Sequence, residues 1–308
     1  MDAMNDNKTI QLPDERNRNI KVWIDGELYH RDEAKISVFD SAVQGGDAVW
    51  EGIRVYDGRV FELDAHIERM HNSAKAMAFV DIPSKEEIER AVFECLNANG
   101  MYDETHMRLT LTRGRKTSSG MSPHFNKYGS TLIVLAEWKK PVYNNDGIRI
   151  ITSAIRRNTA ACIDSKIHHN NLINNILAKI EANVAGVDAA LMLDVHGFAS
   201  ECNGVNIFVV HRGELLTPHA DSCLPGITRR KIINLARENG VGCLERNISI
   251  SEVYSADEVF VTGSMGELTP VLEVDGRKIG GKPGPMTQRM QSLFRAVTQV
   301  DGTVIPRV

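Results

Sequence analysis

Four short segments in the second half of the chain carry residue types that could do chemistry together. Lys166 stands in Asp164-Ser165-Lys166-Ile167-His168-His169-Asn170-Asn171-Leu172. Glu201 heads Glu201-Cys202-Asn203-Gly204-Val205-Asn206-Ile207-Phe208. Leu224-Pro225-Gly226-Ile227-Thr228-Arg229 leads into a helical pattern, and Thr262-Gly263-Ser264-Met265-Gly266-Glu267 follows a strand pattern. They offer an amine, a carboxylate and two sets of anion donors, the parts needed to hold a phosphorylated aldehyde such as pyridoxal phosphate.

Each part has a commoner, blander role. A lysine attacks an aldehyde only as the neutral amine, which burial near another cation favours; most lysines are simply solvated. Lys166 is singled out by the apolar helix pattern after it, Leu172, Ile173, Ile176, Leu177 and Ile180, which is expected to dock its start against the core. Glu201 precedes Val205–Val210, apolar enough for a buried strand. A carboxylate beside a pyridine nitrogen keeps it protonated and makes the ring an electron sink, whereas an ordinary turn-end glutamate faces water. The first N–H groups of the helix after Pro225-Gly226 are free and its dipole favours an anion, with Thr228 a candidate cap. Gly263-Ser264 could form a second small nest or an ordinary strand-to-loop turn.

The elements that must position these groups change character near the middle. Strand patterns at 21–26, 49–56 and 59–63 come first, the last two joined by Asp57-Gly58, a hairpin signal. Asp64 is expected to cap a helix with Ile67, Met70, Ala74, Met77 and Ala78 inward. Ser84-Lys85-Glu86-Glu87 reads as a capping box for a second helix ending at Gly100. Strands at 106–113 and 131–138 flank a polar loop, 114–129, long enough to be functional or disordered. The stretch 139–147 lacks apolar periodicity and carries Pro, Asn and Gly. It is taken as a linker between domains at 1–138 and 148–308. Beyond it come strands at 148–154, 189–194, 205–210, 258–262 and 271–274. Helices are expected at 170–184, 228–238 and 286–297. The order is mixed rather than strictly βαβ, so a doubly wound sheet is disfavoured.

Composition narrows the class. With 308 residues, 42% apolar and 25% charged, the chain can bury a substantial core. A formal charge of −4 argues against a nucleic-acid or membrane-surface role. No apolar run approaches a membrane span. Residues 1–19 are polar and lack a signal core, and read as a lead-in. The five cysteines are odd in number and widely spaced, which suggests neither disulfides nor zinc and favours a reducing cytoplasm. Adjacent His168 and His169 would point about 100° apart on a helix and make a poor chelate, so no metal site is expected.

Taken in order, these segments resemble the class IV aminotransferases, the fold-type IV group of pyridoxal phosphate enzymes. That group includes branched-chain and D-amino-acid aminotransferases, R-selective amine transaminases and aminodeoxychorismate lyases. The resemblance runs from about Lys21 to the C-terminus. Its signature is similar to Glu201 through Phe208, then Leu215-Leu216-Thr217, then Leu224 through Arg229, with Asn203 departing from the usual small residue. Trp50-Glu51-Gly52-Ile53-Arg54 and His66-Ile67-Glu68-Arg69 resemble branched-chain segments in the first half.

The resemblance implies an α+β fold of two domains, a small α/β N-terminal one and a larger pseudo-barrel, with the cofactor in the cleft between them. Lys166 would be the Schiff-base lysine and proton carrier, and Glu201 the partner of the pyridine nitrogen. Leu224 would pack on the ring, while Ile227, Thr228, Gly263, Ser264 and Arg69 would hold the phosphate. Trp50, Arg108 and Met265 fall on the substrate side, Arg108 where branched-chain enzymes keep a carboxylate-binding arginine; Arg113 and Arg115 are further candidates. Gly45, His106 and Asn171 fall where branched-chain enzymes place tyrosines, so the substrate half is altered. The implied reaction is ping-pong transfer of an amino group from an amino acid, branched-chain in type, to a 2-oxo acid by a homodimer. The alternatives are an R-amine or D-amino-acid transaminase, a pyridoxal phosphate lyase, or a protein that only holds the cofactor.

Overall fold

The computed structural model describes residues 11–143 and 146–307. Its first half contains β1 (Lys21–Ile24), β2 (Glu27–His30), α1 (Ser41–Gly45), β3 (Ala48–Tyr56), β4 (Arg59–Val60), α2 (Leu63–Ala76), α3 (Lys85–Asn99), β5 (Thr105–Thr112) and β6 (Thr131–Trp138). The second half begins with β7 (Ile148–Thr152), α4 (Ile173–Val184), β8 (Ala189–Leu193), β9 (Ala199–Cys202), β10 (Asn206–His211), β11 (Glu214–Thr217) and α5 (Ile227–Glu238). It continues with β12 (Cys243–Glu245), α6 (Ile250–Tyr254), β13 (Glu258–Gly263), β14 (Glu267–Val274), β15 (Arg277–Lys278), α7 (Pro285–Thr298) and β16 (Thr303–Val304).

The strands sort into two sheets. The first runs β16-β4-β3-β5-β6-β1-β2, so the chain returns to it at its last strand. Side chains alternate across a strand, and β3 and β5 use this to separate core from site. Val49, Ile53, Val55, Met107, Leu109 and Leu111 pack under α2 and α3. The opposite face carries Trp50, Gly52 and Arg54, register partners of Thr110, Arg108 and His106. In the second sheet β10, β13, β14, β7, β8 and β9 pair in sequence, and β9 pairs back to β10, closing a barrel-like ring. Ile207 and Val209 of β10 point into it, while Phe208 and Val210 point out against α5 and α7.

Local signals explain most boundaries. Asp57 and Gly58 both take positive φ, 43° and 74°, as a two-residue hairpin turn requires. The Ser84–Glu87 capping box forms with both bonds in place. Three expectations differ. Asp64 does not cap α2: Glu62 holds that position with φ 50°, its carboxylate tied to Arg230 and Lys231 of α5. Thr228 does not cap α5, whose N-cap is Gly226 with no side-chain cap. The helix after Lys166 begins at Ile173 rather than Asn170. The backbone before it is spent on the edge of β3 instead, Trp50 N donating to His168 O and Asn170 N to Ala48 O, both at 2.9 Å.

The helix α4 also faces the other way. Its small residues Ala178 and Ala182 pack on Ala190 and Met192 of β8, leaving Ile173, Ile176, Leu177 and Ile180 exposed. The 114–129 loop is tied down by Lys116 N to Phe39 O and Asn126 Nδ2 to Gly114 O, and contains a 3-10 turn at Pro123–Phe125. The lead-in 1–19 lies outside the described residues up to residue 10; Glu15–Asn19 forms a 3-10 turn. Among the described residues, no helix is long and apolar enough to cross a membrane, and no cluster suited to a metal ion is found.

Candidate active site

A cavity of about 380 Å³ lies between the site face of the first sheet and one end of the barrel ring. Its wall includes Trp50, Arg69, Glu201, Leu224, Ile227, Thr228, Gly263, Ser264 and Met265. Residues far apart in the chain are brought together because β3, β9, the start of α5 and the β13–β14 turn converge there. Val142 and Tyr143 of the linker stretch also line it, held by Val142 N donating to Met265 O at 3.0 Å.

Glu201 sits on β9 opposite Asn206. Arg157 Nε donates to its Oε1 at 2.7 Å. Asn206 Nδ2 and the Leu224 N–H donate to Oε2 at 3.0 and 3.3 Å. Burial raises the Glu201 carboxyl from its usual range, opposed by the Arg157 charge. Sequence reasoning missed Arg157, which lies in no motif, and gave no role to Asn206, although it stands in the signature. Asn206 also donates to Leu224 O at 2.9 Å. A Cβ on Gly226 would lie only 2.0 Å from Asn206 Oδ1, so glycine is what allows the α5 entry to sit against this strand.

On the first-sheet side, Glu51 is a hub beneath the cavity. It is fully buried, and it accepts from Arg69 Nε and Nη2 at 2.8 and 2.6 Å. His66 Nδ1 is 2.6 Å and His168 Nδ1 3.1 Å from it. Burial opposes ionisation, yet the Arg69 charge and its neighbours keep the Glu51 carboxyl well below its ordinary value. Arg69 reaches on to Pro225 O at 3.2 Å, just before the α5 N-terminus. Trp50 is clamped between the His168 ring, 4.2 Å away, and the Arg108 guanidinium, 4.0 Å away.

Two expected residues stand just outside the wall. The Lys166 ammonium is partly exposed and rests 3.3 Å from Asp164 Oδ1, while Ser165, Ile167 and His168 line the cavity. Its charge is nonetheless felt at Cys223, the neighbour of Leu224; burial pushes that thiol up to about 12 and Lys166 is among the cations opposing the rise. Arg108 stacks behind Trp50 and bonds Asn170 Oδ1 at 3.1 Å. Arg113 is occupied by Asp47 at 2.6 Å, and Arg115 lies over Tyr128. Asn171 bonds Gly46 O, next to Gly45. Lys179, which sequence reasoning did not consider, lines the cavity with its Nζ bonded to Asp188 O.

The groups present fit pyridoxal phosphate. The first turn of α5 presents backbone N–H groups with no capping side chain, an anion cradle. Thr262 Oγ1, buried at the cavity wall, has no hydrogen-bond partner among the described residues, an open position for a ligand oxygen. A buried carboxylate completes the donor and acceptor set.

A two-sheet α+β chain with a closed barrel-like ring and this cavity has the fold of the branched-chain aminotransferases, fold-type IV. The family model for amino-transferase class IV matches residues 48–274, and the chain belongs to that family. It is 56% identical over 96% of its length to branched-chain-amino-acid aminotransferase-like protein 2 of Arabidopsis thaliana, but spans 53% of that relative. The chain thus spans about half the length of the first curated relatives it matches. The branched-chain aminotransferase of Thermoproteus uzoniensis, solved with norvaline, superposes with a TM-score of 0.85 at 33% identity, covering 91% of this chain and 95% of that one. The branched-chain amino acid aminotransferase of Thermobaculum terrenum, solved in its PLP-form, superposes with a TM-score of 0.83 at 25% identity, covering 92% of this chain and 95% of that one.

Proposed function

We propose that this protein is a pyridoxal phosphate-dependent aminotransferase, moving an amino group from an amino acid of branched-chain type to a 2-oxo acid by a ping-pong route. The observation that carries the reading is the single cavity joining Glu201, the α5 N-terminus, the Gly263-Ser264 turn and Arg69, with the Lys166 segment forming part of its wall. When bound, the cofactor supplies an aldehyde that takes up the amino group and a ring that accepts electrons.

The chain's own residues then have separate tasks. The Lys166 side chain would turn from Asp164 into the cavity, where its Nζ would hold the cofactor and serve as the local acid and base. Glu201, steadied by Arg157 and Asn206, would hold the pyridine nitrogen. Ile227 and Thr228 offer N–H and hydroxyl donors to the phosphate, helped by Gly263 and Ser264, and Arg69 adds its charge at that end. Leu224 covers the ring. Trp50 and Met265 form the substrate side, with Arg108 backing Trp50.

The same reading places a domain boundary at 139–147, gives no task to a metal ion, and expects a homodimer in the cytoplasm. The exposed apolar row of α4 supports a second copy, which would cover it. The five cysteines as free thiols support a reducing compartment. An R-amine or D-amino-acid transaminase is kept as the second reading, because His106 and Asn171 stand where tyrosines are usual. The test adds L-leucine, D-alanine or R-1-phenylethylamine to cofactor-loaded protein and follows the visible spectrum and the oxo product. Bleaching with L-leucine alone, with turnover only when a 2-oxo acid is present, is expected. Bleaching with a D- or R-donor alone contradicts the branched-chain reading, and release of more than one equivalent of product per site without an acceptor contradicts transamination.

A further inference from the structure

His168 has one engaged nitrogen and one free nitrogen. Its Nδ1 lies 3.1 Å from Glu51 Oε1, and its ring stacks on Trp50 with centroids 4.2 Å apart. Glu51 is held ionised and already accepts from Arg69 Nε and Nη2, at 2.8 and 2.6 Å. An ionised carboxylate can only accept, so the proton of the His168 pair sits on Nδ1. Burial keeps the ring neutral, lowering its value to about 4 against the pull of Glu51. Nε2 is then a bare lone pair. No protein group among the described residues bonds it. The ring nonetheless lines the cavity and keeps 12% of its side chain exposed. Two backbone bonds hold the residue there: His168 N donates to Ser73 Oγ at 3.1 Å, and His168 O accepts from Trp50 N at 2.9 Å.

His169, next in the chain, takes the opposite tautomer. Its Nδ1 accepts from Asn171 N at 3.1 Å, so its proton sits on Nε2. Other strong groups of the wall are engaged with one another. Arg157 is spent on Glu201, which accepts two further bonds, and Lys179 on Asp188 O. A fixed acceptor left bare beside Trp50 suits a ligand that brings a donor. We propose that His168 Nε2 recognises the bound substrate by accepting a hydrogen bond from one of its N–H or O–H groups. Glu51, with no exposed surface of its own, is the positioning residue that decides which nitrogen is bare. This role rests on the reading of the cavity as a transaminase site and adds a recognition atom to it. The donor has two possible sources on the substrate, its ammonium or a hydroxyl or amide on its side chain. The second source would extend the preferred amino acids from leucine-like hydrocarbons to polar ones of the same size.

Three probes of one size separate the sources. Isocaproate carries no donor, succinamate replaces its isopropyl group by a carboxamide, and L-leucine adds an ammonium to it. The two acids are titrated by calorimetry into the purified protein before and after addition of pyridoxal phosphate. Leucine is titrated only before, where no aldehyde is present to react. His168→Asn keeps a donor for Glu51 but has no atom at the Nε2 position, and His168→Gln restores a polar atom there. His168→Asn should weaken a donor probe roughly three- to tenfold and leave isocaproate unchanged, with His168→Gln recovering part of the loss. A loss with leucine assigns the donor to the ammonium, and a loss with succinamate assigns it to the side chain; either supports the proposal. Binding of none of the three, equal affinities in wild type and His168→Asn, or an equal loss for isocaproate overturns it. Long-range proton–nitrogen spectra of histidine-labelled protein, assigned with His168→Asn, read the tautomer directly. Nε2 of His168 is expected to be unprotonated and to shift when a donor probe binds, and a proton on Nε2 overturns the proposal. Failure of the wild type to take up cofactor is read separately, from its visible spectrum, and counts against the transaminase reading instead.

Discussion

At the residue scale, the cavity is set by buried titratable groups that hold one another in fixed states. His168 is the clearest case. Burial lowers its imidazole to about 4, although Glu51 pulls the other way. An unfolded histidine takes its proton near the ordinary value of 6.5. Because the folded value is the lower one, the stabilising contribution is complete above about pH 6.5 and is lost as pH falls toward 4. The shift corresponds to roughly 3 kcal/mol. The melting temperature of the wild type should therefore drop across that window, and His168→Asn should flatten the slope. Equal slopes in the two proteins would show that His168 does not carry the effect. The sequence made His168 visible only as half of a weak metal candidate. Its real setting depends on Glu51 from β3 and on Trp50, which are distant in the chain. Glu201 was legible because it sits in a recognisable signature; Arg157, which fixes it, was not, since the Arg156-Arg157 pair reads locally as a solvated basic stretch.

At the element scale, periodicity located most helices and strands, and caps fixed some ends, as Ser84 and Glu87 do for α3. It could not say which side of a helix is inward. In α4 the apolar row Ile173, Ile176, Leu177 and Ile180 reads as the core face, yet the structure turns Ala178 and Ala182 inward, because the flat apolar face of β8 accepts small residues at close approach. The proposed second copy would cover this exposed row. If the proposed homodimer forms through this row, Ile176→Lys with Ile180→Lys should yield a monomer in light-scattering chromatography, with little change in the helical signal, since both side chains are exposed in the monomer. A variant that elutes as the wild type does would remove α4 from the interface. The late start of α4 was also illegible: Asn170 reads locally as a helix start, but its N–H is taken by Ala48 O on β3.

At the scale of the whole molecule, the two sheets act as opposite walls of one cavity, and contacts between halves hold them in place. Tyr56 bonds Glu267 across the divide at 3.0 Å, Glu62 of the first half meets Arg230 of the second, and β16 returns to β4. No stretch of sequence announces these contacts, because each joins residues with unremarkable neighbours. The family resemblance carried the overall arrangement further than periodicity did, and it named Glu201, Leu224, Ile227, Thr228, Gly263 and Ser264, which share one cavity wall. The central claim is that Lys166 carries the cofactor, although its ammonium rests on Asp164 and Lys179 is the lysine on the cavity wall. The most direct measurement is to load the protein with pyridoxal phosphate, reduce it with borohydride, and map the modified lysine by peptide mass spectrometry. A phosphopyridoxyl adduct on Lys166, absent in Lys166→Ala, is the expected result. An adduct on Lys179, or none on a folded and loaded protein, would contradict the account.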